Sequence, residues 1–211
     1  MRFCRFLILP LLAAAASSAF AGANDLKFVN PPVVIQDPLS KGTTEIEVLG
    51  GYFHSPFDVK RPEFDYAGAD LRYGIVLTPA LFDTSKIMRG DLELLFDGFG
   101  DGVTKGAGNY LTGGSLLFRY NWFHPGSRFI PYFQLGGGGL HSDAAEVPSQ
   151  RLIGGNFEFI LEATFGARIL LNDHWSVLIE GGYQHISNAD TAARNVGVNA
   201  LGGRIGLGYI Y

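Results

Sequence analysis

The chain reads as an all-β protein, an eight-stranded antiparallel transmembrane β-barrel of the outer-membrane type, preceded by an export signal. Three observations predict this. The first 21 residues have the layout of a cleavable leader. The remainder is rich in glycine and aromatic residues (29 Gly and 13% aromatic in the whole chain), only 17% charged, and holds no apolar run long enough for a membrane helix. From Thr43 onward it divides into alternating segments of about ten residues, the pattern of barrel strands.

The leader comes first. Arg2 and Arg5 make a positive start, Phe6 to Ala16 is an apolar run broken by Pro10, and Ala19-Phe20-Ala21 supplies an A-x-A cleavage site. That run is too short to cross a bilayer, so 1–21 is a signal peptide and 22–211 the barrel domain. Cleavage removes Cys4, the only cysteine, which precedes the apolar run and so is no lipoprotein acylation point. The mature chain therefore has no disulfide, no thiol chemistry and no cysteine metal site. Loss of Arg2 and Arg5 takes the formal net charge of −4 further negative, which argues against a nucleic-acid partner.

Asn24 to Lys41 is a lead-in with Pro31, Pro32 and Pro38 and no clear period. The strand segments then fall at 43–54, 65–77, 91–98, 110–122, 129–140, 155–169, 174–187 and 198–211. Alternation is clearest in 155–169. There Phe157, Phe159, Leu161, Ala163 and Phe165 share one face, and Asn156, Glu158, Ile160, Glu162 and Thr164 the other. Periodicity alone does not say whether the apolar face packs on a soluble core or meets lipid. The last strand separates the two: Arg204, Gly206, Tyr209 and Tyr211, with aromatics at the final and third-last positions, resemble the assembly signal of outer-membrane barrels.

An even-stranded barrel keeps its short turns and both termini in the periplasm. The connections 123–128 and 170–173 are short, whereas 99–109, 141–154 and 188–197, on the opposite side, are longer and polar. The connection 78–90 is too long for a periplasmic turn and reads as a short helix. Strand 7 then runs outward and ends at the outer leaflet.

That end carries His185 and Ser187. Two residues apart on a strand, they share the face of Trp175, Val177, Ile179 and Tyr183, the most apolar set in the strand and hence the lipid face. A serine hydroxyl becomes a nucleophile when an imidazole can take its proton, and the imidazole works best when a third group holds its other nitrogen. The adjacent strand offers Asn199, on the parity of Leu201, Ile205, Leu207, Tyr209 and Tyr211. His-x-Ser alone is a common tripeptide. On position alone, hydrogen bonding to headgroups or water accounts for it better than catalysis.

Other chemistry-bearing residues have plain explanations. His54, His124, His141 and His174 fall at strand ends or in loops. Glu158, Glu162 and Glu180 face the interior, where a hydrogen-bonded network fills a narrow barrel. Asp97, Asp101 and Asp143 lack the spacing of a calcium loop. Gly98-Phe99-Gly100 and Gly136 to Gly139 lack the strand-to-helix setting of a phosphate loop and read as bends. No metal site and no cofactor are expected.

The stretch His185-Ile186-Ser187-Asn188-Ala189, followed by Asn195-Val196-Gly197, resembles the signature of the lipid A 3-O-deacylases, the PagL family. These are small outer-membrane barrels with a lipid-facing His-Ser-Glu triad that hydrolyse the ester-linked acyl chain at the 3-position of lipid A. The match is close over the last two strands, and elsewhere covers only length and strand pattern. The resemblance implies Ser187 as nucleophile, His185 as general base, Asn188 for the oxyanion hole, and lipid A (lipopolysaccharide) among outer-membrane lipids as the partner. A homodimer is left open. Two positions depart from the family: Asn199 stands in place of the triad glutamate, and Asp190 in place of a small glycine. An amide orients an imidazole without stabilising the imidazolium, and the Asp-to-Asn change in one protease triad lowered turnover about 10⁴-fold. His-Ser-Asn is similar to the triad of outer-membrane phospholipase A, a larger barrel, which makes Asn199 the expected third member. The alternatives to lipid A deacylation are a phospholipase-type acyl hydrolase and a non-catalytic structural barrel.

Overall fold

A computed structural model describes residues 39–55 and 62–211. The expected signal peptide and most of the proline-containing lead-in lie outside the described residues. The remainder is a closed barrel of eight strands: β1 (Thr44–His54), β2 (Asp65–Val76), β3 (Gly90–Lys105), β4 (Tyr110–Trp122), β5 (Phe129–Ser142), β6 (Phe157–Leu170), β7 (Trp175–Ser187) and β8 (Val198–Ile210). Each pairs antiparallel with the next, and β1 closes on β8 from Glu45–Ile210 to His54–Leu201. Closure leaves no strand edge, which is what a sheet in hydrocarbon requires. The outer end is that of the longer connections after β5 and β7.

The alternation is inside-out relative to a soluble sheet. Phe157, Phe159, Leu161 and Phe165 stand exposed on β6, as do Trp175 and Ile179 on β7 and Ile205 and Leu207 on β8. The opposite faces hold buried charge. Arg119, fully buried, grips both oxygens of Glu47 at 2.5 and 2.9 Å, meets Glu45 at 3.1 Å and lies 4.3 Å over the Tyr132 ring. Arg72 does the same with Glu180, at 2.9 and 3.1 Å. Arg168 pairs with Glu45, and Arg204 with Asp70. Glu162 and Glu180 belong to this network, as expected of lumen-facing carboxylates. Apolar plugs close both ends: Phe53, Tyr66, Phe99, Leu140, Ile160, Ile186, Val198 and Ala200 at the outer end, and Leu39, Val76, Phe123, Ile130, Leu170 and Ile210 at the other.

Three expectations are corrected. β3 continues to Lys105 instead of ending near residue 98, so Gly98-Phe99-Gly100 is strand and the β3–β4 connection shrinks to 106–109. The outward positions there are Gly98, Gly100 and Gly102, which hide the alternation, while Asp97 and Phe99 still point inward. Gly136 to Gly139 likewise run straight through β5; a Cβ at Gly136 or Gly138 would collide with the β4 carbonyls of Leu116 or Gly114. The glycines serve close strand approach rather than bending. Third, 78–90 is not helical. Leu81 and Gly90 exchange backbone hydrogen bonds at 2.6 and 3.2 Å, and Arg89 Nε donates to Asp83 at 2.8 Å, folding the segment into a bridged turn.

The lumen network carries a prediction. Arg119→Met takes from Glu47 the guanidinium that grips both its oxygens, leaving Glu45 and Glu47 to Arg168 and Arg72 alone, and is expected to destabilise the barrel by about 3–5 kcal/mol. Adding Glu47→Gln should restore a large part of that loss in urea unfolding of lipid-reconstituted protein.

Candidate active site

The outer ends of β7 and β8 bring the expected residues together. The β7–β8 register sets His185 directly opposite Asn199 and Tyr183 opposite Leu201. His185 Nδ1–H donates to Asn199 Oδ1 at 2.7 Å, and the Tyr183 hydroxyl donates to the same oxygen at 2.5 Å. Two donors converging on one oxygen fix the amide's orientation. With Nδ1 committed, the basic lone pair of His185 is on Nε2. Both His185 and Asn199 are half-buried on the outer wall, and Ile186, Val198 and Ala200 from the plug back them on the inside. The cross-strand pair thus sits on a backbone that packing holds rigid.

Ser187, the last residue of β7, points outward two positions beyond His185 and is half-buried. Its hydroxyl has no hydrogen-bond partner among the described residues. Catalytic hydrogen bonds in empty sites are often long and tighten around substrate. The chain leaves Ser187 under backbone strain: Ala189 (φ 51°) and Asp190 (φ 63°) are successive left-handed residues. Their backbone N–H groups lie in the turn that follows Ser187. Neither N–H has a partner among the described residues.

Asn188 is placed differently from the other three residues. It follows the parity of Gln184 and Ile186 and turns into the barrel, where it is buried. Its Nδ2 donates to the Arg194 carbonyl at 2.8 Å, and its backbone N–H donates to Asn195 Oδ1 at 3.0 Å. The structure therefore joins His185 and Asn199, sets Ser187 beside them, and aims both donors of Asn188 elsewhere.

Three contributors have no role assigned from the sequence, although Gly197 lies within the signature stretch. Tyr183 was legible only as an apolar-face residue. Gly197 has φ of 74°, and a Cβ there would lie 3.0 Å from the Ile186 carbonyl oxygen and 3.4 Å from His185 Cε1, so only glycine lets the β7–β8 connection close against the imidazole. Arg194 holds that connection down, donating to the carbonyls of Ala145 at 2.6 Å, Val147 at 3.1 Å and Gln150 at 3.2 Å in the β5–β6 connection. No local motif announces these long-range contacts.

This wall sets a His-Asn pair and a serine, the residue types of nucleophilic acyl transfer, on the lipid side of a closed barrel. The sequence profile described as "Lipid A 3-O-deacylase (PagL)" matches residues 65–208, more than half of the chain. The chain belongs to the PagL family of lipid A 3-O-deacylases. No curated protein matches. Among solved structures, the fold is similar to the outer-membrane enzyme PagL at a TM-score of 0.51 and 16% identity, covering 75% of this chain and 97% of that one. Neisserial surface protein A gives a TM-score of 0.46 at 14% identity over 81% of this chain and 98% of that one. The attachment invasion protein Ail of Yersinia pestis gives 0.39 at 13% identity over 81% of this chain and 99% of that one. The PagL match bears out the eight-stranded outer-membrane barrel architecture.

Two substitutions test this PagL-family wall. Tyr183→Phe removes one of the donors to Asn199 and is expected to slow acyl release several-fold, the weight of about one hydrogen bond. Gly197→Val pushes a side chain against His185 and is expected to cost about 10²-fold, as small misplacements of catalytic groups do. In both, the barrel's heat-modifiable migration in gels should be unchanged.

Proposed function

We propose that this chain acts in the outer membrane as a serine-type lipid A 3-O-deacylase, exported by the leader at 1–21. Ser187 Oγ attacks the carbonyl carbon of the 3-linked acyl ester while His185 Nε2 takes its proton. The tetrahedral intermediate collapses, and the sugar oxygen leaves with the proton returned from His185. Water, deprotonated by the same nitrogen, then cleaves the acyl-serine ester and releases a hydroxy fatty acid.

The single observation that carries this reading is the 2.7 Å His185–Asn199 bond on the lipid face, with Ser187 beside it, in a chain of this family. Asn199 replaces the family glutamate as the group that orients His185. It holds the ring in the tautomer that leaves Nε2 free, and the Tyr183 hydroxyl in turn holds Asn199. For the oxyanion, the backbone N–H groups of Ala189 and Asp190 are better placed than Asn188, whose donors are engaged within the loop. A backbone donor at 190 also explains how aspartate stands where the family has glycine: the N–H is kept, and its carboxylate accepts from Asn195 Nδ2 at 2.8 Å.

The test is mass spectrometry of lipid A from cells expressing the full chain. The wild type should remove one 3-linked hydroxyacyl chain. Ser187→Ala and His185→Ala, with barrels that still fold, should lower that activity by about 10⁵–10⁶-fold, as loss of a catalytic serine or histidine does. Asn199→Ala should cost about 10–100-fold, and the isosteric Asn199→Asp should retain activity. Unchanged lipid A with a folded wild-type barrel would contradict the substrate assignment.

A further inference from the structure

The chain uses the same short pattern twice: Gly50-Gly51-Tyr52-Phe53-His54 ends β1, and Gly181-Gly182-Tyr183-Gln184-His185 runs into the end of β7. Both strands run outward, and both Tyr-His pairs face outward. The duplication extends across the ladder. On β7 and β8, the imidazole and the tyrosine hydroxyl converge on Asn199. On β1 and β2 they converge on Asp65. Nδ1 of His54 donates to Oδ1 at 2.7 Å, the Tyr52 hydroxyl donates to Oδ2 at 2.9 Å, and the Ser55 N–H adds a 3.3 Å bond to Oδ1. Asp65 stands one step beyond the Phe53–Tyr66 pair, opposite His54, just as Asn199 stands opposite His185.

The two cassettes differ in what they lack. The β7 cassette has Ser187 two residues on but a neutral amide behind its histidine. The β1 cassette has a buried carboxylate behind its histidine but Pro56 in place of the serine. Two residues beyond His54 the sequence therefore has no hydroxyl or thiol to match Ser187. Nor does His54 serve Ser187. The register places His54 opposite Leu201 and Leu201 opposite Tyr183, so two strand spacings separate the cassettes, and Ser187 lies four residues further out, on the order of 15 Å away. With Nδ1 committed to Asp65 and 43% of its side chain exposed, His54 presents Nε2 outward. Lys105, opposite Asp65 on the neighbouring strand β3, adds a cation, paired with Glu63. Arg194, a cation of the β7–β8 connection, is committed to loop carbonyls.

An imidazole backed by a carboxylate can take a proton on Nε2 as an anion approaches and then offers one directed, charge-assisted N–H, which suits a phosphate oxygen. We propose that Tyr52, His54 and Asp65 form a headgroup site in which His54 Nε2 binds a phosphate of the same glycolipid whose ester faces Ser187. Only the identity of that glycolipid rests on the function proposed above. A phosphorylated disaccharide reaches across the two strand spacings, so engagement at His54 sets how the headgroup lies along the wall and which acyl ester meets Ser187.

The experiment reads binding without turnover. Full-length Ser187→Ala protein in detergent micelles is titrated with bis-phosphorylated lipid A, with the same lipid after removal of its phosphates, and with inorganic phosphate alone. The phosphorylated lipid should bind about tenfold more tightly than the dephosphorylated one, the weight of one charged hydrogen bond. His54→Gln should erase that difference and leave affinity for the dephosphorylated lipid unchanged. Asp65→Asn, which removes the carboxylate behind the ring, should shrink it. Inorganic phosphate alone should show no saturable binding. Equal affinity for the two lipids, or equal weakening of both by His54→Gln, would overturn the proposal. So would saturable binding of inorganic phosphate lost in His54→Gln without any preference between the lipids, since that marks a free-anion site. Because release of the acyl chain is never read, failure of the Ser187 mechanism would appear separately, as hydrolysis that survives Ser187→Ala.

Discussion

Four arginines sealed inside the barrel decide which way every strand faces. Arg72, Arg119, Arg168 and Arg204 are each answered by carboxylates from other strands: Glu180 and Asp97 for Arg72, Glu47 for Arg119, Glu45 for Arg168, Asp70 for Arg204. A one-residue slip of any ladder would turn a guanidinium into hydrocarbon and a row of phenylalanines into the lumen. The register is therefore held by electrostatics within and apolar side chains without. That register sets His185 opposite Asn199 and Ser187 on the lipid side. Parity, more than any local turn, places these three residues where a membrane lipid can reach them laterally.

The lumen has no part in access. Its middle is packed with paired charge and both ends with apolar side chains, which leaves the outer wall, where His185, Asn199 and Ser187 lie, as the accessible surface. The same interior steadies the site. Glu158 accepts from the N–H groups of Gly154 and Gly155 at 3.0 and 2.9 Å, Asn188 bonds to the Arg194 carbonyl, and Arg194 ties the connection after β7 to the one after β5. The left-handed residues at 189 and 190 persist because these contacts over-determine the loop.

How much of this was legible in the sequence follows from how local each feature is. Strand parity is local, so the outward set of β6, the lipid-facing His185 and Ser187, and their partnership with Asn199 were readable before any coordinates. Where parity carried no side chain to read, as at Gly98, Gly100 and Gly102, the end of β3 was misplaced. The segment 78–90 has the length of a helix, but its shape comes from a bridge between residues nine apart, which no helical period encodes. Asn188 was assigned from family position, although its own parity with Ile186 points it inward. His54 looked like an ordinary strand-end histidine because Asp65 lies eleven residues further along the chain and meets it only across the ladder.

In the proposed mechanism Ser187, activated by His185 on the outer wall, forms the covalent acyl intermediate. An acyl-chain phosphonate presented in lipid vesicles to the folded full-length protein tests it most directly, with the modified residue located by peptide mass mapping. A single adduct on Ser187 is expected, and it should be lost in the folded His185→Ala variant. An adduct on another residue, or labelling of Ser187 that proceeds equally well without His185, would contradict it.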